Sequence, residues 1–200
     1  VGAGVAGLAA MQLAKKSGAI VFGFDVRAAA KEQVESCGAK FLEVNFQEDG
    51  SGAGGYAKQM SAEWFQAADD MLLKECANMD VIITTALIPG RTAPVLIKEH
   101  HVDAMPSGGV TVDLAASAGG NVATTKPGEV VKHGNVTCVG YTNMESRMSP
   151  TASNLFAGNI TNFLLSMEDK ETKKWHINLE DPAVRSICVA IDGKPLEPYV

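Results

Sequence analysis

The chain opens on a glycine-rich turn, and that turn restricts the fold more than any other feature. Gly2-Ala3-Gly4-Val5-Ala6-Gly7 fits the pattern G-x-G-x-x-G. A helical stretch from Val5 to Lys16 follows at once, with Val5, Leu8, Ala9, Gln12 and Leu13 at three- and four-residue spacing and Ser17-Gly18 as its stop. In such a turn the first glycine permits the tight bend. The second removes a Cβ where a pyrophosphate approaches, and the third lets the helix pack closely. The helix N-terminus offers free N–H groups and a partial positive charge to phosphate. The short apolar run Ala19 to Phe24 then has the size of a buried parallel strand, and Asp25 stands at its end, at the spacing of a ribose-binding acid. A carboxylate there accepts from ribose hydroxyls and repels a 2′-phosphate. Arg27 is the residue type that accommodates a 2′-phosphate, but the first charge after the strand is negative, so NAD(H) is expected over NADP(H).

The β-α rhythm continues. A helix is expected over Ala28 to Ser36 with Gly38 beyond it, a strand over Lys40 to Val44, and a helix over about Ala57 to Ala77. A strand follows over Asp80 to Thr85, a mostly helical stretch over Ala93 to Met105, a strand over Gly109 to Leu114, and a last strand over Val136 to Tyr141. Strands alternating with helices point to a parallel sheet covered on both faces. The fold class expected is α/β, a Rossmann-type doubly wound parallel sheet. A glycine turn of this kind needs a preceding strand to anchor it, so the sheet is expected to lack its first strand and the chain to be an N-terminally truncated fragment.

The Gly-rich stretch Asn45 to Tyr56 interrupts the pattern with almost nothing to bury, as a linker or a functional loop does. After Ser149-Pro150 the character changes again. Thr151 to Met167 reads as one long helix, and Trp175 to Val200 holds short extended pieces around an Asp192-Gly193 turn. The expected division is residues 1–148 as the nucleotide-binding subdomain, and residues 149–200 as a helix and tail belonging to a second α/β subdomain.

Loops after strands lie at the ligand edge of an open α/β sheet. Thr85, Ala86, Leu87 and Pro89 are therefore expected near the nicotinamide ribose. Asp113 and Leu114 end another strand, and Gly119-Gly120-Asn121 continues along the same rim; Asp113 either meets the ligand or orients loops. The residue-level candidates for the dinucleotide are thus Gly2, Gly4, Val5, Ala6, Gly7, Asp25, Val26, Arg27, Thr85, Ala86, Leu87, Pro89, Asp113 and Leu114.

Other classes of function are disfavoured. A net charge of -6 argues against a nucleic-acid surface, and no apolar run reaches the roughly 18 to 20 residues needed to cross a bilayer. Cys37, Cys76, Cys138 and Cys188 form no C-x-x-C pair and read as scattered thiols. His100 and His101, as neighbours, are expected to face different ways, while His133 and His176 are isolated, so no metal site is expected.

Together, GAGVAGLAA, FDVRAAAKEQVESCGAKFLEV, GGYAKQMS, ITTALIPGRTAPVLI, VDLAASAGGN and GYTNMESRMSPTASNLFAGNITNFL resemble the NAD(H)-binding component of proton-translocating nicotinamide nucleotide transhydrogenases. The resemblance runs from residue 1 to about 192. It implies hydride transfer between NADH held here and NADP+ on a partner domain, coupled by a membrane proton-channel domain. It also implies a homodimer of this component, outside the membrane of a mitochondrial or bacterial inner-membrane complex. Tyr56 and Ala57 match the family's Tyr-Ala pair on a loop that closes over nucleotide. The family's catalytic loop, with Arg, Gln and Asp, belongs to the other subdomain, so no residue here is assigned a catalytic role and this stretch alone is expected not to be fully active. Hydride transfer between two nicotinamides needs no protein acid or base, and no other catalytic constellation stands out. Alanine dehydrogenases are similar over the same segments, but they carry a functional Asp where Ser117 stands here. A non-catalytic NAD(H)-binding module is the remaining alternative.

Overall fold

The computed structural model describes residues 1–46, 48, 50, 60–88 and 90–198. The chain divides into two compact units, Val1–Met144 and Glu145–Val200. In the first, α1 (Val5–Lys16) leads to β1 (Phe22–Gly23), α2 (Ala30–Ser36), β2 (Lys40–Phe41), α3 (Ala62–Cys76), β3 (Val81–Thr84), α4 (Glu99–Asp103), β4 (Val110–Asp113), β5 (Val130–His133) and β6 (Val136–Val139). β1 and β2 pair in parallel, while β3, β4, β6 and β5 form a second sheet in that order. β3, β4 and β6 run parallel, and β5 closes the edge antiparallel to β6.

The two sheets meet through the first residues of the chain. The Val1 nitrogen donates to Ile83 O at 2.7 Å, and Val1 O accepts from Thr85 N at 2.9 Å. Gly2 N donates to Phe24 O at 2.8 Å. Val1 and Gly2 therefore bridge the free edges of β1 and β3, giving an order β2-β1-Val1-β3-β4-β6-β5. A cavity of about 610 Å³ continues the line of Val1 between those edges, walled by Ile20, Phe22, Phe24, Leu72, Val81 and Ile83 among others.

α3 shows why the sequence folds this way. Ser61 caps it by accepting from Trp64 N at 3.2 Å. Trp64, Ala68 and Leu72 recur every four residues, lie on one face and are all buried. They pack with Ile82, Ile97, Val102, Val122 and Val136, and Trp64 stacks on Phe24 at 6.1 Å. Each large side chain buried in this way contributes about 1.5–3 kcal/mol.

Several boundaries differ from the sequence expectation. α3 starts at Ala62, where Ser61 caps it, rather than near Ala57, which lies outside the described residues. The stretch Ala93 to Ile97 is extended, and only Glu99–Asp103 is helical. There Ala93 N donates to Ala118 O, and Leu96 N and Ile97 N both donate to Asn121 O, so the backbone is taken by a loop rather than by itself. β5 has no counterpart in the sequence expectation; Gly134 and Asn135 connect it to β6 as a two-residue hairpin turn.

The second unit holds α5 (Met144–Arg147, begun at its boundary), α6 (Ser149–Ser166), α7 (Pro182–Ile187), β7 (Ala190–Ile191) and β8 (Lys194–Pro195). β7 and β8 form a hairpin whose Asp192 and Gly193 both have positive φ, 49° and 75°, as a type I′ turn requires. No side chain of α6 is buried, and Leu155, Phe156 and Leu165 are 68%, 67% and 57% exposed. Among the described residues no helix is long and apolar enough to cross a membrane.

Candidate nucleotide site

The three motif glycines do three separable things. Gly2 has φ of 92°, and a Cβ there would lie 2.7 Å from Thr85 Oγ1. Gly7 packs on the turn itself, since a Cβ would fall 1.8 Å from Gly2 O. Gly4 differs from both: it is exposed, and a Cβ would meet nothing within 4 Å. The chain thus requires glycine at the first and third positions to close the turn. At the second position only an incoming group could require it, which suits a cradle for phosphate. Val5 and Ala6, in the first turn of α1, are exposed beside Gly4, Val5 to 91%. With Gly7 they supply N–H groups that have no partner within a helix.

Asp25 is bound directly to this turn. Its Oδ2 accepts from Ala3 N and from Arg27 Nη2, both at 2.8 Å, and its Oδ1 accepts from Arg27 N at 3.0 Å and Arg27 Nε at 2.8 Å. Burial pushes the carboxyl up, but the hydrogen bonds from Arg27 and Ala3 and the Arg27 charge outweigh it and hold the pKa below the ordinary value. Arg27 is turned onto Asp25 as a two-pronged fork. Next to it, Val26 O accepts from Gly50 N at 3.1 Å, and Glu48 accepts from Ser61 N and Oγ. The described residues on either side of the Gly-rich segment are therefore held close to Asp25. Tyr56 and Ala57, within that segment, lie outside the described residues, as does Pro89.

The loop after β3 faces the same turn. Thr85 Oγ1 donates to Gly2 O at 3.0 Å, and Ala86 is partly exposed and Leu87 48% exposed at the rim. Leu114 is half-buried and its N–H continues the sheet to Thr84 O at 2.9 Å. Asp113 requires a correction as a candidate ligand contact. It is fully buried, and five donors surround its carboxylate: Thr84 Oγ1, Ala115 N, Asn121 N, Val122 N and Thr125 Oγ1, at 2.8 to 3.1 Å. It orients loops and offers no oxygen to a ligand.

The glycine turn, Asp25 and the post-β3 loop thus meet at the C-terminal ends of parallel strands, beside the point where the chain turns to opposite sides of the sheet. Ligands bind at that point in open α/β sheets. The family described as "Alanine dehydrogenase/PNT, C-terminal domain" matches residues 1–198. The chain belongs to this family. It is 50% identical over 200 residues to the first portion of NAD(P) transhydrogenase subunit alpha of Rhodospirillum rubrum, a separate polypeptide, covering 98% of this chain and 52% of that protein. It is 44% identical to NAD(P) transhydrogenase subunit alpha of Haemophilus influenzae, covering 99% of this chain and 39% of that protein. Among solved structures, a transhydrogenase from Sinorhizobium meliloti superposes with a TM-score of 0.67 at 40% identity, over 83% of this chain and 42% of that one. An L-alanine dehydrogenase shares the fold, with a TM-score of 0.64 at 23% identity. The chain spans about half the length of the first of these relatives, and less of the others.

In this alanine dehydrogenase/PNT domain the residue that sequence reasoning undervalues is Asn121. Its Oδ1 accepts from Ala86 N at 2.9 Å, and its Nδ2 donates to Ala86 O and Pro94 O, each at 2.8 Å. The one available signal is its place after Gly119-Gly120 on the rim.

The histidines also differ from expectation. His100 and His101 converge on one carboxylate, with Nε2 atoms 3.4 and 3.1 Å from Asp69 Oδ1. His101 Nδ1 accepts from Lys98 N at 3.0 Å, so its Nε2 carries the proton and donates to Asp69 O at 3.1 Å. The Lys98 ammonium stands 2.9 Å from Asp69 Oδ1. A protonated ring nitrogen cannot ligate a metal, and a cation is already in place, so this knot fastens α4 to α3. Burial pushes the Cys76 thiol up to about 11, helped by Glu75, which leaves it an unreactive core residue.

Proposed function

We propose that this chain is the NAD(H)-binding part of a proton-translocating NAD(P) transhydrogenase. The observation that carries the proposal is Gly4, open to solvent at the N-terminus of α1, with the Asp25 carboxylate bonded to the same turn. The pyrophosphate would rest on the N–H groups of Val5, Ala6 and Gly7, and the adenosine ribose would bond to Asp25. Arg27 now fills two acceptor positions of that carboxylate, so the ribose hydroxyls compete with its fork. The same pairing keeps Arg27 off a 2′-phosphate, which supports NAD(H) over NADP(H). The post-β3 loop, Thr85 to Leu87, would border the nicotinamide half. Tyr56, Ala57 and Pro89 belong to the site on the family resemblance alone.

The nicotinamide supplies the hydride chemistry when bound. The residues of this chain orient the dinucleotide and bring it to an NADP(H)-binding partner domain, and the gain is one of proximity and water exclusion. A membrane proton-channel domain and a second copy of this component complete the proposed assembly, on the matrix or cytoplasmic side of an inner membrane. Within it, residues 1–148 form the nucleotide-binding subdomain, and the cavity beside Val1 takes the first strand of its sheet. Residues 149–200 pack on the other subdomain, which would cover the exposed apolar side chains of α6.

The test mixes the full-length protein with an NADP(H)-binding domain and follows reduction of an NAD analogue by NADPH. Turnover that requires both proteins and ignores pyruvate and ammonium is the expected result. Pyruvate-dependent oxidation of NADH would replace the proposal with an amino-acid dehydrogenase.

A further inference from the structure

We propose that Asp113 and Asn121 are positioning residues, which hold the Ala86 peptide in the rim and so set the affinity for the second half of the dinucleotide. The inference rests on the nucleotide reading above and extends it to two side chains that do not touch ligand.

Asp113 is a buried carboxylate whose five hydrogen-bond donors come from loop backbone and two threonines. A buried charge is tolerated only where its lone pairs are satisfied. Satisfying them here ties four segments to the end of β4: the end of β3 at Thr84, the turn at Ala115, the Asn121-Val122 peptides, and Thr125. The chain must pass very close to the carboxylate to do this. Gly120 has φ of 86°, and a Cβ there would lie 2.8 Å from Asp113 Oδ2.

The consequence is the placement of Asn121, itself fully buried. Its carboxamide pairs with both the N–H and the C=O of Ala86, as a neighbouring strand would, and its second N–H is used on Pro94 O. These partners fix which amide atom is oxygen. Ala86 is the residue after Thr85, and its nitrogen would lie 3.1 Å from a Cβ placed on Gly2. A shift of this peptide would therefore move the loop relative to the glycine turn. The path runs from Asp113 through the backbone and side chain of Asn121 to Ala86, and every step is a hydrogen bond of 3.0 Å or less.

The experiment measures NADH and 5′-AMP affinity of the full-length protein and of Asn121→Asp. This substitution keeps the shape and the acceptor for Ala86 N, but sets a carboxylate oxygen against Ala86 O and Pro94 O. 5′-AMP needs only the glycine turn and Asp25, whereas NADH also needs the rim. The expected result is at least a tenfold loss of NADH affinity with 5′-AMP changed less than twofold. Equal losses for both ligands would reduce the pair to a fold-maintaining role and overturn the proposal, as would unchanged NADH binding. If Asn121→Asp does not melt cooperatively, Thr125→Val removes one donor from Asp113 and leaves Asn121 in place. It should weaken NADH about threefold and spare 5′-AMP, and no change there also overturns the proposal. Failure of the wild-type protein to bind NADH at all would instead refute the nucleotide reading itself.

Discussion

The strand-end rim of the first unit and helix α6 of the second satisfy their sequences in opposite ways. At the rim, polar groups find partners within the chain: Asp25 with Ala3 and Arg27, Asp113 with five donors, Asn121 with Ala86 and Pro94. α6 is 18 residues long, rich in Leu, Ile and Phe, and buries none of them within this chain. Helices apolar on all sides are ordinarily enclosed. The contrast teaches that the nucleotide rim is built from local information, whereas α6 is shaped for surroundings that the chain does not itself supply.

The sharpest way to break this comparison is at Gly7. Gly7→Ala places a methyl 1.8 Å from a backbone oxygen, which no side-chain adjustment relieves. The first unit should lose its cooperative melt, or more than about 3 kcal/mol in denaturant unfolding; a loss below about 1 kcal/mol would mean that the turn is not rigid. At α6, Phe156→Ala in the full-length protein should cost about 3 kcal/mol, as for a buried aromatic. A change within about 0.5 kcal/mol is what an exposed site gives, and would show that nothing covers the helix.

Asp25→Asn removes a charged acceptor from the proposed ribose contact, and NADH affinity should fall about tenfold to a hundredfold. The same variant tests stability in acid. The folded pKa of Asp25 lies below its ordinary 3.8, so its contribution is complete above that value and is lost as pH falls through the lower folded pKa. The variant should flatten the acid limb of a stability-pH curve, and an unchanged limb would show that the Asp25–Arg27 pair contributes nothing.

The smallest effect belongs to His101. Burial first, and then the His100 and Lys98 charges, outweigh the raising effect of Asp69 and hold its pKa below the ordinary 6.5. The unfolded chain therefore binds the proton first. The contribution of His101 is complete above pH 6.5 and declines as pH drops from there toward the folded pKa. His101→Gln should remove that slope from thermal melts between neutral pH and about pH 5, and a slope that persists would place the proton elsewhere.

Much of the fold and of the rim is legible in the sequence because the signals are local. The turn, α1, the position of Asp25 and the Asp192-Gly193 hairpin each follow from residues close in sequence with fixed conformational demands. The strands are foreseen in place but too long, since only the central residues of each are paired. The extended stretch Ala93 to Ile97 reads as helix because an apolar run carries no sign of which partner takes its backbone, and here that partner is Asn121, far along the chain. β5 escapes notice although Gly134-Asn135 marks a hairpin, because its half-exposed valines and lysine lack the apolar run expected of a buried strand. Asp113 presents two readings that sequence spacing does not separate; burial and five donors separate them. The convergence of His100 and His101 on Asp69 depends on how α4 packs against α3, which is long-range information.

The most direct measurement is a calorimetric titration of NADH and NADPH into the full-length protein and its Gly4→Ala variant, with melts recorded in parallel. A methyl at Gly4 meets no atom of the chain within 4 Å, so any effect on binding reports on the ligand. The account predicts NADH preferred over NADPH in the wild type, at least a tenfold loss of NADH affinity in the variant, and equal melting temperatures. NADH affinity unchanged by Gly4→Ala would contradict it, because the pyrophosphate could not then lie on this turn.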